Sequence, residues 1–430
     1  MIRYPKRWVL TLVACWLLGV AFAQDGNPIE SSHDSQQIGT TSQPIEFVPK
    51  RVIVKFRSEL APVVVQMITD ALLTEVEGSI PELGALFLKI PDDADEKDYE
   101  ALFQSLPAVE YAELDYIVPP ATSYSRTLIP NDPWFDPGRG YGWHLTRVGA
   151  PAAWYYQRGS PQIVIAVLDT GVNPVPDLAG KLVPGRNIYL SNNDTRDIGS
   201  HGTEVSCVTA AVTNNGIGVA GLAWNCRIMP VRIAAMGGTA TYSHMAEGVI
   251  WAANHGARVA NLSYRIDTAN RLLTDAARYF MERTRGVVVV AAGNDGTFSN
   301  NPDNPYLIRV SGLDVTNLRL SNSNYGTDVD LCAPMYNIYT MASDGRVVSG
   351  TGTSFSAPLV AATAALVLSA NPSLSGEQVE RILKRSAVDL GPPGWDPEYG
   401  WGCVNAPRAV LMARGLLPES TPPTIRITNL

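Results

Sequence analysis

Histidine and cysteine are scarce in this sequence, with five of each among 430 residues. None of them has the spacing of a zinc site, and no cluster of Lys and Arg alternates with aromatic residues. The net charge is −8, whereas binding to a nucleic acid backbone needs clustered positive charge. Zinc and nucleic acid are therefore not expected as partners. No internal repeat is present, and the composition, 46% hydrophobic and 17% charged, is that of a globular protein.

Long hydrophobic runs are also few, and the first one has the features of a secretory signal. Three basic residues precede the apolar run 8–20, and Ala21 and Ala23 place small residues where a signal peptidase reads them. The run is too short to span a bilayer comfortably. We therefore expect a signal peptide over residues 1–23 and a secreted or periplasmic protein with no membrane anchor after cleavage. A lipoprotein site at Cys15 is disfavoured, because the apolar run continues past it.

Four cysteines remain after signal removal. In an exported chain an even number permits disulfides, with three connectivities between which the sequence does not choose. Buried free thiols that pack as small apolar groups are an equally good interpretation. These cysteines are Cys207, Cys226, Cys332 and Cys403.

Changes in composition divide the rest of the chain. Polar residues 24–45 show no periodicity and predict a flexible linker. A small α/β domain is expected over 46–121 and a large domain over 122–416. The tail 417–430 contains three prolines and is either a short edge strand or the start of a further β-domain. In the small domain the predicted elements are strands 51–56, 85–90 and 109–118 and helices 62–73 and 96–106.

The large domain alternates short β-branched runs with helical stretches. Continuous apolar strands separated by helices predict an α/β fold with a parallel sheet covered by helices on both faces. Sites in such sheets form at the carboxyl ends of the strands. The predicted strands are 163–168, 228–233, 259–262, 287–291 and 307–311, and the predicted helices are 203–212, 243–255, 271–283 and 355–370.

Asp169 and His201 lie at the end of one element and the start of another. Asp169 follows the apolar strand 163–168, where a carboxylate costs several kcal/mol to desolvate unless it is paired. His201 lies in a glycine-flanked turn that opens a helix, which exposes the imidazole with little steric cover. Each alone fits an ordinary turn or packing role. Together they suit a general base and the carboxylate that orients it.

Ser354 and Asn294 occupy similar positions. Ser354 follows a Gly-Thr-Gly-Thr segment and precedes a long apolar helix, whose first N–H groups are free to bind an anion. Asn294 follows the strand 287–291, and its amide suits donation to an oxyanion. Taken singly, these residues are also a common helix cap and a common turn residue. With His201 and Asp169 they predict acyl transfer, with Ser354 as the nucleophile and Asn294 and the Ser354 N–H stabilising the oxyanion.

The segments around these four residues resemble the signature blocks of the subtilisin-like serine peptidases, in the family's order Asp, His, Asn, Ser. The similarity runs from about 131 to 411, and residues 46–118 look like the family's inhibitory propeptide. The resemblance implies a subtilisin-like fold and a monomeric secreted serine endopeptidase that hydrolyses polypeptides. It also implies a precursor whose propeptide assists folding, inhibits the enzyme and is removed by self-cleavage between Tyr116 and Pro130.

Two rival functions are less consistent with the sequence. An ester hydrolase of the α/β-hydrolase type is disfavoured, because Ser354 lacks a Gly-x-Ser-x-Gly elbow and the residue order differs. A non-catalytic protein on the same fold is disfavoured by the complete set of four residues.

The resemblance also implies structural calcium. Oxygen ligands suit Ca²⁺, although the Asn-Asn-Gly segment 214–216 is also a good turn without metal. In the matching set, Asp132, Asp177 and Asn215 would contribute side-chain oxygens. Thr213, Ile217 and Val219 would contribute backbone oxygens. The set is Asp132, Asp177, Thr213, Asn215, Ile217 and Val219.

The expected substrate cleft departs from the family at three positions. Relatives usually have two glycines where Arg265 and Ile266 stand, on a wall of the S1 pocket, so either side chain narrows that pocket. Arg265 either attracts an acidic or polar P1 side chain or points into solvent. Glu204 replaces a histidine and raises the pKa of His201. The residues expected to bind substrate, including an edge that pairs with extended peptide, are Gly238, Thr239, Ser263, Tyr264 and Arg265.

Overall fold

The computed structural model describes residues 46–117 and 127–417. The predicted signal peptide and linker, the middle of the expected cleavage segment and nearly all of the C-terminal tail lie outside the described residues. The chain divides into two compact units, residues 1–123 and 124–430.

The N-terminal unit is a four-stranded antiparallel sheet with two helices. The strand order is β2-β3-β1-β4. Val52 and Val54 of β1 are fully buried while their neighbours are partly exposed, because alternate residues of a strand face opposite sides of the sheet. The elements are β1 (Glu46–Phe56), α1 (Pro62–Ala71), β2 (Glu75–Ile80), β3 (Ala85–Lys89), α2 (Glu96–Gln104) and β4 (Val109–Ile117).

The C-terminal unit is built on a seven-stranded parallel sheet, which confirms the predicted fold class. The strand order is β13-β11-β9-β8-β5-β7-β6. The strands are β5 (Val164–Asp169), β6 (Arg186–Asn187), β7 (Arg227–Arg232), β8 (Ala257–Arg265), β9 (Val287–Ala291), β10 (Phe298–Ser299), β11 (Ile308–Leu313), β12 (Tyr325–Gly326), β13 (Leu331–Pro334), β14 (Ile338–Met341) and β15 (Val347–Gly350). The helices are α3 (Trp143–Arg147), α4 (Ala150–Tyr156), α5 (His201–Ala210), α6 (Tyr242–Asn254), α7 (Arg271–Thr284), α8 (Thr353–Ala370), α9 (Gly376–Ser386) and α10 (Ala406–Ala413).

The central strand β5 is buried on both faces. Ile165 and Val167 belong to one hydrophobic cluster, together with residues of α8, while Ala166 and Leu168 belong to the other, with residues of α6 and α7. Two apolar clusters separated by the sheet explain why this strand reads as a continuous apolar run. They also fix Asp169, the last residue of β5, at the carboxyl edge of the sheet.

Helix α8 is, among the described residues, the one helix long and apolar enough to cross a membrane. However, 83% of its apolar window is buried inside the protein. Its apolar side chains contact β8, β9, β11 and β13 and neighbouring helices. The helix therefore forms the centre of one core cluster, and its first turn lies at the same edge of the sheet as Asp169.

The four cysteines in the described part of the chain are buried free thiols. Cys332 and Cys403 are partners in an isolated parallel β-bridge. Burial raises the pKa of Cys207, Cys226 and Cys332, which makes these thiols poor nucleophiles.

Candidate active site

The first feature of the site is the close contact between the end of β5 and the start of α5. A Cβ atom at Gly202 would lie 2.0 Å from the Gly171 carbonyl oxygen, so only glycine permits this approach. The Thr170 hydroxyl accepts a hydrogen bond from the Gly202 N–H at 2.9 Å and donates to Asp197 at 2.7 Å. These contacts hold the helix start against the strand end.

Asp169 and His201 are brought together by this arrangement. Asp169 is fully buried, and its Oδ1 lies 2.8 Å from Nδ1 of His201. The same oxygen accepts the Thr170 N–H at 2.7 Å, while Oδ2 is buried with no hydrogen-bond partner in the described part of the chain. Because a carboxylate only accepts hydrogen bonds, Nδ1 carries the proton. In the neutral imidazole this leaves Nε2 as the acceptor nitrogen, which is what a general base requires.

The pKa of His201 is raised to about 9. Burial opposes the charged imidazolium and is the largest single influence, but the carboxylates of Asp169, Glu204 and Asp197 outweigh it. Glu204 lies one turn further along α5, and its own pKa is raised by burial. The carboxylate at this position thus acts on the imidazole in the expected direction.

Ser354 lies in the first turn of α8, as the sequence indicated. Its hydroxyl donates to the Ser263 carbonyl at 3.2 Å, and the Ser263 hydroxyl donates to the Ser354 carbonyl at 2.8 Å. This reciprocal pair fixes the end of β8 directly beside the serine. The hydroxyl is turned towards β8 in this structure.

Asn294 lies opposite, in the loop that follows β9. Its Oδ1 accepts hydrogen bonds from the Thr353 N–H at 2.8 Å and from the Thr353 hydroxyl at 3.0 Å. Because a backbone N–H can only donate, the side-chain oxygen must face Thr353. The amide nitrogen therefore points away from Thr353 and remains available as a donor. It lies 3.2 Å from the Cβ position of Gly352.

These side chains surround one cavity of about 550 Å³. The residues expected to bind substrate divide around it. Gly238 lines it and accepts a hydrogen bond from the Tyr264 hydroxyl at 3.1 Å. Thr239 is exposed beside it in a loop after β7 and not in a strand, which corrects the expected strand edge. The lining includes Thr170, His201, Gly238, Ser263, Tyr264, Arg265, Asn294 and Ser354.

The two residues that depart from the family have different environments. Ile266 is 1% exposed and packs in the second core cluster, so it does not narrow the cavity around Ser354. The Arg265 guanidinium lies 3.2 Å from the Asp295 carboxylate. Because the Arg265 side chain is also 66% exposed, attraction of an acidic or polar P1 side chain and a solvated arginine both stay predictions.

The residues of the expected calcium loop also come together. Asp132 accepts hydrogen bonds from the N–H groups of Asn214 and Asn215 at 2.7 and 3.3 Å. Asp177 accepts from the Val219 N–H at 2.7 Å and from the Asn215 amide at 3.3 Å. Both carboxylates are almost completely buried. No group of three or more His, Cys, Asp or Glu side chains suited to a metal occurs within the residues that the structure describes.

Thr353 and Asp295 are site residues that the sequence did not single out. Thr353 is flanked by candidate residues, but nothing in the motif distinguishes a threonine that orients Asn294 from an ordinary helix start. Asp295 contacts Arg265 across a separation of thirty positions, which no local pattern reveals.

A histidine held by a buried carboxylate, beside a serine at a helix start and a free amide donor, defines the serine hydrolase class. Comparison with known proteins specifies the family. The model of the subtilase family matches residues 160–402, and that of the fervidolysin N-terminal prodomain matches residues 34–115.

Individual relatives agree with the family models. The thermophilic serine proteinase of Bacillus sp. strain AK1 is 32% identical over 403 residues, covering 91% of this chain and 94% of its own. Subtilisin Savinase of Lederbergia lenta is 38% identical over 272 residues, covering 62% of this chain and 97% of its own. The solved structure of a protease from Pseudoalteromonas arctica PAMC 21717 matches with a TM-score of 0.58 and 31% identity, covering 66% of this chain and all of that one. The chain thus belongs to the subtilase family and is a serine protease with an N-terminal prodomain.

Proposed function

We propose that this subtilase is an exported endopeptidase, made as a precursor that removes its own prodomain, in which Ser354 attacks the peptide carbonyl. The contact between Asp169 and His201 at 2.8 Å carries the proposal, because it fixes the tautomer in which Nε2 accepts the serine proton. A rotation about the Cα–Cβ bond of Ser354 turns its hydroxyl from Ser263 towards Nε2. Such hydrogen bonds often tighten only when substrate binds.

The remaining groups act on the charges that develop during the reaction. Asn294, with its oxygen held by Thr353, directs its amide nitrogen at the oxyanion, and the Ser354 N–H at the helix start is the second donor. Asp169 stabilises the imidazolium that forms on His201. The imidazolium then protonates the leaving amine, and water attacks the acyl-enzyme with His201 again as the base.

Substrate peptide is proposed to lie along the cavity lining. The end of β8 carries Ser263 and Tyr264 on one side, and the loop with Gly238 and Thr239 lies on the other. The hydrogen bond between Tyr264 and Gly238 ties these two walls together. An extended polypeptide suits the space between them, and the prodomain is proposed to act first as an intramolecular inhibitor and then as a substrate.

Calcium binding is proposed at the loop 213–219, whose N–H groups contact the carboxylates of both Asp132 and Asp177. Burial raises the pKa of both carboxylates, and the negative charge of Asp132 raises that of Asp177 further. A Cβ atom at Gly218 would lie 1.9 Å from Asp177 Oδ2, so glycine lets the loop wrap closely around this carboxylate. Carboxylate and carbonyl oxygens are the ligands that suit Ca²⁺, and the two buried carboxylates supply two of them. The ion would supply the missing positive charge, with Asn215 and the carbonyls of Thr213, Ile217 and Val219 as further ligands.

The test is to express the precursor and the Ser354→Ala variant and to determine the N-terminal sequence of the exported product. We expect the wild type to begin between Tyr116 and Pro130 and the variant to begin after Ala23. Loss of the nucleophile lowers turnover by about 10⁶, so the pure variant should not mature.

Ser356→Ala is the matched control. Ser356 lies two positions along the same helix, is fully buried, and donates to the Ala333 carbonyl at 3.0 Å. Its variant should still mature. Maturation of the pure Ser354→Ala precursor would rule out Ser354 as the nucleophile.

A further inference from the structure

The end of β8 changes direction at Arg265. Leu262 pairs with Val290 of β9, but the next pair is Arg265 with Ala291, so two residues of β8 have no partner in β9. A bulge of this kind turns the following side chain away from its regular direction. The Arg265 side chain therefore lies over Gly293, where a Cβ atom would come within 2.9 Å of the Arg265 Cγ.

The guanidinium of Arg265 then meets Asp295, the residue that follows Asn294. Its Nη1 lies 3.2 Å from Asp295 Oδ2. The backbone of Asp295 is fixed, because its N–H donates at 2.9 Å to Asn324, a buried side chain that also donates to the Ala292 carbonyl at 3.0 Å. The ion pair thus bridges from the end of β8 to the loop that carries the oxyanion donor.

Arg265 of this pair borders two cavities, whereas Asp295 lines neither of them. The cavity of about 550 Å³ contains Ser354, His201 and Asn294, while a second cavity of about 440 Å³ lies beyond and is lined largely by polar side chains. Arg265 lines both of them. The second cavity is also lined by Thr297, Asn301 and Arg309, and Arg309 is already paired with Asp328. Among the residues that line the cavity around Ser354, Arg265 is the only lysine or arginine.

The position of the P1 residue, whose carbonyl is attacked, follows from the groups around it. In the proposed mechanism its carbonyl carbon lies at Ser354 and its oxygen at Asn294, which places its side chain in the cavity bordered by the end of β8 and by the loop that carries Asn294. Those are the two segments that the ion pair joins. A P1 side chain therefore either stops at the pair or displaces it.

We propose that the Arg265–Asp295 pair is a gate that sets P1 specificity, favouring acidic P1 side chains over neutral ones of the same size and excluding large apolar ones. This inference rests on the proposed endopeptidase function. A P1 carboxylate exchanges with Asp295 as the partner of Arg265, and the Asp295 carboxylate is left with the Asn324 amide, which donates to it at 3.4 Å. Both side chains of the pair are substantially exposed, 66% for Arg265 and 48% for Asp295. An exposed pair of this kind changes an equilibrium by about fivefold at most, so substrate can open it.

The experiment uses the matured enzyme and four peptides that differ only at P1, which is Glu, Gln, Ala or Phe. The values of kcat/KM are measured for the wild type and for Asp295→Asn, Arg265→Gln and Arg265→Gly. The Glu to Gln ratio isolates charge at constant shape, and the Phe to Ala ratio reports size. All ratios are measured at low and at high salt.

We expect a Glu to Gln ratio above one in the wild type. Asp295→Asn should raise it about three- to fivefold, since the competing carboxylate is gone, and high salt should reduce the gain. Arg265→Gln should bring the ratio to one or below. Arg265→Gly should join the two cavities and raise the Phe to Ala ratio roughly tenfold, the change expected for burying a large apolar side chain.

Asp275→Asn is the control, because it breaks an exposed ion pair with Arg278 on α7 that lines neither cavity. It should leave both ratios unchanged. A Glu to Gln ratio that is the same in Asp295→Asn and wild type overturns the gate, as does a Phe to Ala ratio that is unchanged in Arg265→Gly. A wild type that cleaves none of the peptides and does not mature contradicts the endopeptidase function itself, which is a different result.

Discussion

Two regions of the C-terminal unit bury a carboxylate completely, and they treat its charge in different ways. Asp169 faces an imidazole at 2.8 Å, and the negative field it creates favours the protonated form of His201. Asp177 receives hydrogen bonds but no cationic side chain from the residues that the structure describes, and its acidic neighbour Asp132 raises its pKa further. A buried carboxylate needs a counter-charge to be stable. The fold supplies one at the active site, whereas in the loop we expect it to come from solution.

This difference predicts that the geometry of the active site does not depend on a bound cation, whereas the geometry of the loop around Asp132 and Asp177 does. At the active site the functional side chains are held by other parts of the chain, as Asn294 is by Thr353 and His201 by Asp169. In the loop, the geometry brings like charges together. Conditions that remove a bound cation should therefore act first on the loop and on stability, while substitutions around Thr353 should act on turnover.

Removal of calcium should produce the largest effect on stability. The melting temperature of the matured enzyme should fall by roughly 5 °C between calcium at 100 times its dissociation constant and EDTA. In Asp177→Asn the melting temperature should no longer depend on calcium, and in EDTA the variant should be at least as stable as the wild type, because an amide needs no counter-charge. Calorimetry with and without calcium measures both.

The control for this prediction is Asp344→Asn, which removes an exposed carboxylate paired with Arg346. Its response to calcium should match that of the wild type. If Asp177→Asn lowers the melting temperature equally with and without calcium, the carboxylate has a purely structural role and the loop binds no ion.

The second prediction concerns the hydrogen bond by which Thr353 orients Asn294. Thr353→Val keeps the shape of a fully buried side chain but removes the hydroxyl that donates to Asn294 and accepts the Gly293 N–H at 3.0 Å. Complete loss of an oxyanion donor costs about 10²–10³ in kcat. Because the Thr353 N–H still holds the amide, we expect kcat to fall by about 10- to 100-fold with little change in KM.

Thr363→Val is the matched control, since Thr363 is equally buried in the same helix and its hydroxyl donates only within the helix, to the Leu359 carbonyl at 2.8 Å. Its kcat should be close to that of the wild type. In an Asn294→Ala background, Thr353→Val should have no further effect on kcat. Equal losses in both backgrounds would mean that Thr353 does not act through Asn294.

The sequence was sufficient for the parts of the structure that depend on local pattern. The strand 287–291 and the parallel sheet follow from continuous apolar runs, and the helix 271–283 differs from α7 by one residue. Strand β2 (Glu75–Ile80) was not predicted, because its residues are almost all exposed and carry no apolar alternation. Helix α5 begins at His201, two residues before the predicted start at 203, and follows the N-cap residue Ser200, whose φ is +70°.

The candidate site divides in the same way. Asp169, His201, Asn294 and Ser354 were identifiable because each lies beside glycines at the end of an apolar element. The pairing of Arg265 with Asp295 was not identifiable, because it depends on a bulge in β8 and on a loop fixed by a buried asparagine. Catalytic residues that lie at the carboxyl edge of the sheet can thus be predicted from the sequence. Contacts between side chains from separate segments can be identified only in the structure.

The smallest effect is expected at Glu204, which contributes charge to the active site without touching Ser354. Its carboxylate is one of three that raise the pKa of His201 to about 9. Since the base works only when it is neutral, kcat/KM should fall as the pH decreases through this pKa, which makes the enzyme most active under alkaline conditions. Glu204→Gln removes a negative charge that favours the imidazolium, so the acidic limb of the pH profile of kcat/KM should move to lower pH by less than about one unit.

The control is Glu282→Gln, which removes the same charge at an exposed position far from the imidazole. It should leave the pH profile of kcat/KM in place. A shift of the Glu204→Gln profile to higher pH, or none at all, would show that Asp169 and Asp197 alone set the basicity of His201.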